Sequence, residues 1–542
     1  MKNSILPAMK GTARWKDVVR LRGVPFAASI GNKLGFAWPA LGKRLGRENL
    51  IAQARHFPRR HTVPAADKPL EIVFLTMLGG HTLEVATEAA LGLALQARGH
   101  HVRFVVCDKL LPICENKKRG QEPDWDRLCA KCWGFGQDFL QGFGFEIIPL
   151  SRLVKKKPLQ ADAYPDIVEA ALLKHYQVGV LAGLPDVETR KSLLSQAAAL
   201  SAAAGHALVD MRVDRVIMSH GIYCTWGPAR DVLNAAGIDV LTYGPGKKRL
   251  TQKFNWTTSA DWWDVSEEWD RVKNTPLTPL QEERITRYLD SRRTHSQDGL
   301  IYNFGDEEDL EHTRARLRLD PDKQTFVLYT NVLWDAASTQ REIAFRNPVE
   351  WVFDTIAWFT DRPTKQLVVK IHPAEVVIGT RQPFASLIKE RFPNLPDNVR
   401  IVEPHEKVNS WSIYRIADLG LVHTSTVGME MQLLGIPCAV VSHTHFRSRG
   451  FTIDINAREE YFDLLESWSA DRVDRENLRT LALRYAYLLF ERYQLPFDIL
   501  YETSYSDVRA FNFNTINELM ASKSVELIVK SIETRGSFLL PE

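Results

Sequence analysis

Residues 417–454 read ADLGLVHTSTVGMEMQLLGIPCAVVSHTHFRSRGFTID, and the rest of the chain is arranged around them. An apolar run at Leu419–Val422 breaks into a small polar loop at 423–428, and residues of helical character follow at 429–434. A glycine and a proline then end the helix before a second apolar run at 438–441. This order predicts a strand, a loop, a helix and a second strand.

The polar loop of this unit has the composition of a ligand site. Where a strand gives way to a helix, the loop and the helix N-terminus present backbone N–H donors to anionic or hydroxyl-rich ligands. Glu430, one turn into the helix, can accept two hydroxyl hydrogen bonds from a ribose, and Ser425 and Thr426 can donate to phosphate oxygens. The alternative is an ordinary helix end, in which the Ser/Thr run is an N-cap and Glu430 complements the helix dipole.

Four cationic or imidazole side chains crowd the loop after the second strand. His443, His445, Arg447 and Arg449 lie within seven residues, and Gly450 follows them. Arginine binds phosphate through paired N–H groups, so this loop has the chemistry of a site beside a diphosphate. The alternative is a basic loop that faces water.

These motifs resemble those of a known family. The run TSTVGMEMQLLGIP followed by HTHFRSRGFTID is similar to the C-terminal half of bacterial capsule polysaccharide biosynthesis proteins, which belong to the GT-B class of sugar-nucleotide glycosyltransferases. In that family a TSTxGxE helix precedes a segment close to HYRGKGFTYD. Phe446 stands here where Tyr is usual, and Ser448 and Arg449 stand where Gly and Lys are usual. The resemblance covers roughly residues 70–500.

A second family-like element lies upstream, where the strand 366–371 ends in the sequence HPAE. Lys370 and His372 can approach phosphates there, and Glu375 can orient His372 or contact the base of a nucleotide. The resemblance implies a nucleotide-sugar donor, and the residues predicted to bind it are Lys370, His372, Glu375, Ser425, Thr426, Glu430, His445, Arg447 and Arg449. Because parallel strands place their carboxyl-end loops on one edge, His372, Arg447 and Arg449 are expected to converge on the donor phosphate.

The first half of the chain begins with another strand and helix. An apolar run at 71–78 stops at two glycines, and His81 precedes a helical segment at 83–98. The glycines do not form a GxGxxG motif, and in GT-B enzymes the corresponding loop faces the cleft between the domains. We predict that His81 and Glu84 lie at the mouth of this loop as catalytic residues. The alternative for Glu84 is a helix cap.

His220 is the third predicted catalytic residue. It follows the apolar strand 214–219, at the carboxyl end where α/β enzymes place reactive groups. A structural histidine with satisfied hydrogen bonds is the alternative.

Four of the six cysteines fall within 26 residues: Cys107, Cys114, Cys129 and Cys132. The last two form a C-x-x-C pair, and a cytoplasmic chain keeps such thiols reduced, which disfavours disulfides. Four thiolates can hold a tetrahedral structural zinc, and an iron–sulfur cluster uses the same number of ligands. The alternative is a set of free thiols, because Cys107 ends a strand, where buried free cysteines are common.

Length and composition limit the architecture. At 542 residues the chain is long for one core, and ~150 residues per domain predicts two or three domains. Apolar residues make up 45% of the chain and charged residues 25%, as in soluble globular proteins. No stretch approaches the ~20 apolar residues of a membrane span, and the N-terminus lacks the core of a signal peptide. A cytoplasmic location is therefore expected.

The charge is unevenly distributed. The first 60 residues hold 13 Lys or Arg against two acids, Asp17 and Glu48, although the whole chain carries only +3. A basic arm with interleaved apolar residues suits the anionic inner face of a membrane, and the side chains available for insertion are Phe26, Leu34, Phe36, Trp38 and Leu41. The alternatives are a solvated arm or helices packed on the body. No nucleic-acid-binding module is visible, so nucleic acid is not an expected partner.

The predicted fold class is α/β and GT-B-like, with two Rossmann-like domains facing a cleft and a basic N-terminal arm. The arm spans residues 1–68, and a first, acceptor-side domain with the cysteine cluster spans 69–310. A second, donor-binding domain spans 311–474. C-terminal helices at 475–542 are expected to follow, and the first of them crosses back to the first domain.

The predicted function is transfer of a sugar from a nucleotide-sugar donor to a growing surface polysaccharide or glycolipid. Chemistry without a metal is expected, because His and Arg can neutralise the leaving phosphate and the nearest acidic pair, Asp261 and Asp264, lies outside the donor-side loops. One alternative is a polyol-phosphate transferase of GT-B-like fold. A second, from another class, is a non-catalytic scaffold that recruits assembly enzymes to the membrane.

Overall fold

The structure is a computed structural model that describes residues 38–154, 163–294, 296–299, 305–335, 339–504 and 507–542. Most of the predicted membrane-binding arm lies outside the described residues, including Phe26, Leu34 and Phe36, as do the side chains of Trp38 and Leu41.

The strands of the described chain are, in order, β1 Glu71–Thr76, β2 His101–Val106, β3 Glu146–Pro149, β4 Arg215–Ser219, β5 Asp239–Pro245, β6 Thr251–Trp256, β7 Gln324–Tyr329, β8 Lys365–Lys370, β9 Val399–Val402, β10 Leu419–Val422, β11 Cys438–Val440, β12 Ile453–Asp454, β13 Leu495–Pro496, β14 Leu500–Ser504 and β15 Asp507–Phe511.

The α-helices of the described chain are α1 Trp38–Arg55, α2 Thr82–Ala97, α3 Trp125–Gly142, α4 Leu150–Leu153, α5 Pro165–Tyr176, α6 Val187–Asp210, α7 Tyr223–Ala235, α8 Ser266–Val272, α9 Pro279–Ser291, α10 Leu310–Leu317, α11 Pro348–Phe359, α12 Ala374–Val377, α13 Phe384–Arg391, α14 Ser410–Arg415, α15 Val427–Leu433, α16 Arg458–Glu466, α17 Arg475–Tyr487, α18 Ile516–Met520 and α19 Lys523–Thr534. A π-helical turn, Leu488–Tyr493, extends α17.

Two sheets organise the molecule. Within the described ranges, the first sheet has the order β13-β6-β5-β4-β1-β2-β3 and the second has the order β12-β11-β10-β7-β8-β9. Neighbouring strands are parallel throughout the second sheet, and in the first sheet only β6 pairs antiparallel with its neighbours β5 and β13. Parallel neighbours need crossover connections, which the intervening helices supply.

Both faces of each sheet are buried. In β1, Ile72 and Phe74 belong to one apolar core while Val73 and Leu75 belong to another on the opposite face. The second sheet likewise buries alternate residues of β7 and β8 in two different cores. Burial on both faces explains why these strands read as continuous apolar runs in the sequence. Carboxyl ends of strands from both sheets border one cleft, which confirms the predicted α/β class with two Rossmann-like domains in a GT-B-like arrangement.

The segments between and after the two sheets do not pack on the domains to which the predicted ranges assign them. Helices α8 and α9, which fall within the range predicted for the first domain, contribute Trp269, Ile285 and Tyr288 to a core of the second sheet. Helix α17 packs in that same core. The chain then crosses to the first sheet, where β13 pairs with β6 and the β14–β15 hairpin is added to the predicted C-terminal helices.

Two helices bear on the membrane question. Helix α1, at the end of the predicted arm, packs against α3 and β15, and the Arg47 guanidinium donates to the Gly80 carbonyl oxygen at 2.8 Å. Helix α6 is long and apolar enough by length and composition to cross a membrane, the one helix of the described residues that passes this test. Half of its most apolar window is buried, however, and it packs lengthwise on α7 in the first domain.

Candidate active site

The cleft between the sheets has a volume of about 620 Å³. The residues that line it come from both domains: His81, Glu84 and His220 from the first, and Lys370, His372, Ser425, Thr426, Glu430 and His445 from the second. These predicted site residues lie far apart in the sequence but meet because the carboxyl ends of parallel strands share one edge within each sheet, and those edges of the two sheets border the same cleft. The structure thus brings the predicted catalytic residues and most of the predicted donor site to one cavity.

On the first-domain wall, two histidines flank one buried carboxyl group. The Glu84 Oε1 atom lies 3.5 Å from Nδ1 of His81 and 3.8 Å from Nδ1 of His220. Burial raises the pKa of Glu84 well above its usual value, and the nearby Glu88 acts in the same direction. Glu84 is therefore more than the helix cap considered as its alternative, because it contacts both imidazole rings.

Glu88 lies one turn further along α2 and was not singled out in the sequence. Its carboxyl oxygens accept hydrogen bonds from Thr76 Oγ1 at 2.5 Å and Tyr243 Oη at 2.9 Å. Burial raises the pKa of Glu88 to about 7, against the opposing effect of these hydrogen bonds. Glu88 lies within an otherwise apolar helical pattern, so the sequence gives little indication of its role. The one available signal is that an acidic residue occupies the buried face of α2.

The loop that carries His220 is conformationally strained. His220 and Tyr223 have φ values of 51° and 53°, in the left-handed region that residues with a Cβ rarely adopt. The His220 N–H donates to the Tyr243 carbonyl oxygen at 2.8 Å, and its Nδ1 lies 2.5 Å from Ser219 Oγ. Strain of this kind is held in place by surrounding structure and concentrates at functional sites.

Nearby charged groups affect the pKa values of His81 and His220 differently. Burial, together with the charges of the neighbouring His220, Arg47 and Lys43, lowers the pKa of His81 to about 4. Burial also lowers the pKa of His220, but Asp261 opposes that shift. A proton gained by His220 is therefore better stabilised than one gained by His81.

Asp261 is a cleft residue that the sequence interpretation set aside. It lines the same cavity, and its Oδ1 lies 3.0 Å from Nζ of Lys253. Burial alone would raise the pKa of Asp261, but Lys253 and His220 outweigh it, and the pKa falls to about 2. The cleft thus holds an ionised carboxylate that interacts with the His220 ring.

On the second-domain wall, Glu430 is held by two partners. Its Oε1 accepts from Nε and Nη2 of Arg292 at 3.0 and 2.5 Å, and its Oε2 accepts from Tyr414 Oη at 2.7 Å. Arg292 also donates to Asp298 Oδ2 at 2.9 Å. Arg292 follows α9, in a segment where no local sequence pattern indicates a site residue.

The remaining donor-side residues on the cleft are also anchored. The His372 N–H donates to Thr330 Oγ1 at 3.0 Å, and the His372 Nδ1 accepts from the Ala374 N–H at 3.1 Å. His445 stacks on Trp263 with ring centroids 4.9 Å apart, and its Nδ1 lies 3.0 Å from Tyr485 Oη. Burial lowers the pKa of both histidines, so both rings are neutral at pH 7.

Three predicted donor residues do not line the cleft, and the predicted arginine clamp is corrected. Arg447 donates to the carbonyl oxygens of Val440 and Ile455 at 2.8 and 2.9 Å, so it ties together the ends of β11 and β12. Arg449 donates to Ser266 Oγ at 2.8 Å, at the start of α8. Neither arginine lines the cleft, and their guanidinium groups bind backbone and side-chain oxygens instead.

Glu375 is the third correction. Its carboxyl oxygens accept from the backbone N–H of Phe384, 3.2 Å from Oε2, at the start of α13. Burial raises the pKa of Glu375 to about 8, so it is protonated at pH 7. It therefore neither orients His372 nor faces a nucleotide.

The four clustered cysteines line one small cavity behind the loop that carries His81. The Gly80 N–H donates to Cys132 Sγ at 3.0 Å. Burial raises the pKa of Cys132 to about 11, and it raises the pKa values of Cys107 and Cys114 as well. In the described part of the chain, no three His, Cys, Asp or Glu side chains are arranged to hold a metal ion. Zinc at these thiols stays a prediction.

Comparisons with known proteins give distant likenesses only. No protein-family model and no curated sequence matches the chain. Among solved structures, KpsC of Thermosulfurimonas dismutans, described as a beta Kdo 2,4 transferase, is similar at 18% identity and a TM-score of 0.34, over 57% of this chain and 87% of that one. The glycosyltransferase SnogD from Streptomyces nogalater matches at 13% identity and 0.22, over 78% and 95% of the two chains. UDP-GlcNAc 2-epimerase from Neisseria meningitidis matches at 11% identity and 0.24, over 77% and 97%.

Proposed function

We propose that this protein is a glycosyltransferase that moves a sugar from a nucleotide-sugar donor to the hydroxyl group of a surface polysaccharide or glycolipid acceptor. The observation that carries the proposal is the opposition of two kinds of groups across one cleft. A histidine beside an ionised carboxylate lies on the first-domain wall, and Glu430, Ser425, Thr426 and His372 lie on the second-domain wall.

The second-domain wall suits a nucleoside phosphate. Two Glu430 oxygens provide about four lone-pair directions, of which Arg292 and Tyr414 use three, so a ribose hydroxyl can still donate to Glu430. The hydroxyl groups of Ser425 and Thr426 lie on the same loop and can donate to phosphate oxygens. The ribose and its phosphate would then lie side by side along the end of β10.

The first-domain wall suits activation of the acceptor. In direct displacement, the acceptor oxygen forms a bond to the anomeric carbon while the bond from that carbon to the phosphate oxygen breaks. The hydroxyl proton passes to His220, whose Nε2 is free to accept it when Nδ1–H donates to Ser219 Oγ. Asp261 then stabilises the imidazolium, and the bonding electron pair leaves with the nucleoside phosphate.

Chemistry without a divalent metal is part of the proposal. Asp261 is already paired with Lys253, and Asp264 accepts hydrogen bonds from the N–H and hydroxyl of Ser266 at 3.0 and 2.6 Å. The acidic pair noted in the sequence is thus committed to other partners. Positive charge for the leaving phosphate is available from side chains of the cleft.

The acceptor and location rest on the family resemblance and the charge pattern. A capsule-type polysaccharide or glycolipid is the acceptor that the TSTVGMEMQLLGIP motif implies. A cytoplasmic protein bound to the inner face of the membrane through its basic N-terminus would meet such an acceptor as it grows.

A donor panel tests the proposal. The purified full chain is incubated with UDP-, GDP- and CMP-sugars and with CDP-polyols, together with extracted surface glycolipid, and products are identified by mass spectrometry. Transfer of a glycosyl group that the His220→Gln variant lacks supports the proposal. Transfer of a polyol phosphate would contradict the proposal and identify the protein as a polyol-phosphate transferase. Absence of both transfer and nucleotide binding would favour a non-catalytic scaffold.

A further inference from the structure

Two lysines of the cleft, Lys247 and Lys370, form no salt bridge with any acid that the structure describes. Lys370 is the last residue of β8, and its side chain lines the cavity although only 3% of the residue is exposed. Lys247 follows β5 in the first domain and lines the same cavity from the opposite wall. In the residues that the structure describes, neither ammonium group has a carboxylate within 4.0 Å, whereas the neighbouring Lys253 and Arg292 are both paired with acids.

An unpaired ammonium in such a place is costly. Removing a charge from water without a compensating partner is strongly unfavourable, and groups whose pKa is shifted by such burial cluster at functional sites. Burial lowers the pKa of Lys370 to about 8, with Glu406 only partly opposing it, and burial lowers the pKa of Lys247 as well. The two groups are therefore poised to gain a counter-ion.

Both lysines act on the same ring. The pKa of His372 is lowered to about 4, first by burial and then by the charges of Lys247 and Lys370. All three side chains, from two domains, line the same cleft. Lys247 is also close enough to Arg292, Asp298 and Glu430 for their charges to affect it. The region consequently adjoins the proposed ribose contact.

We propose that Lys247 and Lys370 together bind the phosphate of the nucleotide donor, as an anion site shared by the two domains. This inference rests on the proposed function, because it takes the anion to belong to the donor. It replaces the arginines of the predicted clamp with two lysines, one of which comes from the first domain. Donor binding then links the two walls of the cleft, since the same phosphate contacts both.

Nucleotide binding without an acceptor tests this site. Isothermal calorimetry on the full chain compares UDP, GDP and CMP with the phosphate-free nucleosides uridine, guanosine and cytidine, and with inorganic pyrophosphate. The variants are Lys247→Gln and Lys370→Gln, and the control is Lys389→Gln, an exposed lysine on α13 of the second domain. Each site variant should lose at least about tenfold in affinity for the preferred nucleotide while binding its nucleoside as the wild type does. The control should match the wild type for both.

Several results would overturn the inference. These are nucleotide affinity within about twofold of wild type in both folded variants, wild-type protein that binds nucleoside as tightly as nucleotide, and wild-type protein that binds neither nucleotide nor pyrophosphate. Failure of sugar transfer in the donor panel would leave this result standing, because no acceptor is involved. If the wild-type protein transfers sugar but both lysine variants bind nucleotide normally, the anion site is wrong and the proposed function stands.

A second measurement uses the wild-type protein, in case a variant does not fold. Amine acetylation at pH 8.5 is followed by peptide mass spectrometry with and without the preferred nucleotide. Bound phosphate should slow acetylation of Lys247 and Lys370 by about fivefold or more, because the ammonium form is unreactive and its pKa rises on pairing. Lys389 should react at the same rate in both samples. Equal rates at the two cleft lysines would contradict the proposal.

Discussion

At the scale of single residues, the charges around His220 decide which imidazole can act as the base. His81 and His220 both contact Glu84 within 3.8 Å, so distance alone does not separate them. The largest charge effect on His220 comes from the ionised Asp261, which favours the protonated ring against Lys253 and Lys174, while Arg47 and Lys43 disfavour protonated His81. The electrostatic surroundings therefore select His220.

His220→Gln should lower kcat by ~10²–10⁴-fold, the usual contribution of a general base. Because the folded-state pKa of His220 lies below 6.5, the ring is neutral at pH 7, and kcat/KM should fall only as the pH drops below 6.5. Steady-state rates across pH measure both effects. His206→Gln, an exposed histidine on α6, is the control and should behave as wild type. An unchanged kcat in folded His220→Gln would exclude this histidine as the base.

Glu430 requires a gentler substitution than alanine. Removing its carboxylate would leave the buried Arg292 with Asp298 as its remaining acidic partner, and breaking a buried ion pair costs ~3–5 kcal/mol of stability. Such a variant would confuse loss of binding with loss of folding. Glutamine also removes the charge, but it keeps the shape of the side chain and an amide oxygen that can still accept from Arg292.

Glu430→Gln should weaken donor binding by ~1.5–3 kcal/mol, since a neutral amide loses the charge-assisted bond to a ribose hydroxyl. Calorimetric titration with the donor measures this loss. Glu375→Gln is the matched control, because Glu375 lies off the cleft and is already neutral at pH 7. Equal donor affinity for Glu430→Gln and wild type would remove Glu430 from the site, and weakened binding in the control would restore Glu375 to it.

At the scale of elements, the segment from the end of β2 to α3 joins the cysteine cavity to the active site. Cys132, on α3, accepts a hydrogen bond from the backbone of Gly80, next to His81. A Cβ added at Gly80 would lie only 2.9 Å from the Cys132 Cα, so the glycine permits this close approach. The position of His81 consequently depends on the packing of α3.

We predict that Cys129 and Cys132, with Cys114 and Cys107, bind one zinc ion, for which the thiolates would have to draw closer than the described arrangement. Elemental analysis of protein purified without added metal measures this, with the Cys224→Ser variant as control. One zinc per chain that is lost in Cys129→Ser supports the site. If the purified protein contains neither zinc nor iron and all six thiols titrate after unfolding, the four cysteines are packing residues instead.

At the scale of the whole molecule, the C-terminal segment closes the first domain after the chain has built the second. Residues 495–542 contribute Phe497, Phe511 and Phe538 to the core that also holds β1 and α2. Helix α17 and its π-helical extension meanwhile pack with the second sheet. The C-terminal part of the chain thus packs in the cores of both domains and connects them.

Phe511→Ala should lower the free energy of unfolding by ~3–5 kcal/mol, because Phe511 is buried among Phe139, Phe143 and Phe513. Denaturant titration followed by circular dichroism measures the change. Tyr501→Ala, on the same hairpin but 41% exposed, is the control and should shift stability by less than ~0.5 kcal/mol. A small change in the free energy of unfolding for Phe511→Ala would mean that the hairpin contributes little to the stability of the first domain.

Much of the architecture could be predicted from local pattern. Apolar runs bounded by glycine and polar residues located β1, β4, β8, β10 and β11 to within about two residues. Short strands such as β13 and the β14–β15 hairpin could not be found in this way, because their partners are distant in sequence or their runs are too brief to show a period.

Local pattern placed His81, His220, His372 and Glu430 after the carboxyl ends of strands, where parallel strands of one sheet share an edge, and the family resemblance implied that two such sheets face one cleft. Packing between distant segments settled which charged groups line that cleft. Arg447 turned toward carbonyl oxygens at its own strand ends, while Lys247, Arg292 and Asp261 entered the site from segments without a motif. The physical reason is that a long charged side chain goes to whichever unsatisfied group lies within reach, and that depends on packing between segments far apart in the chain.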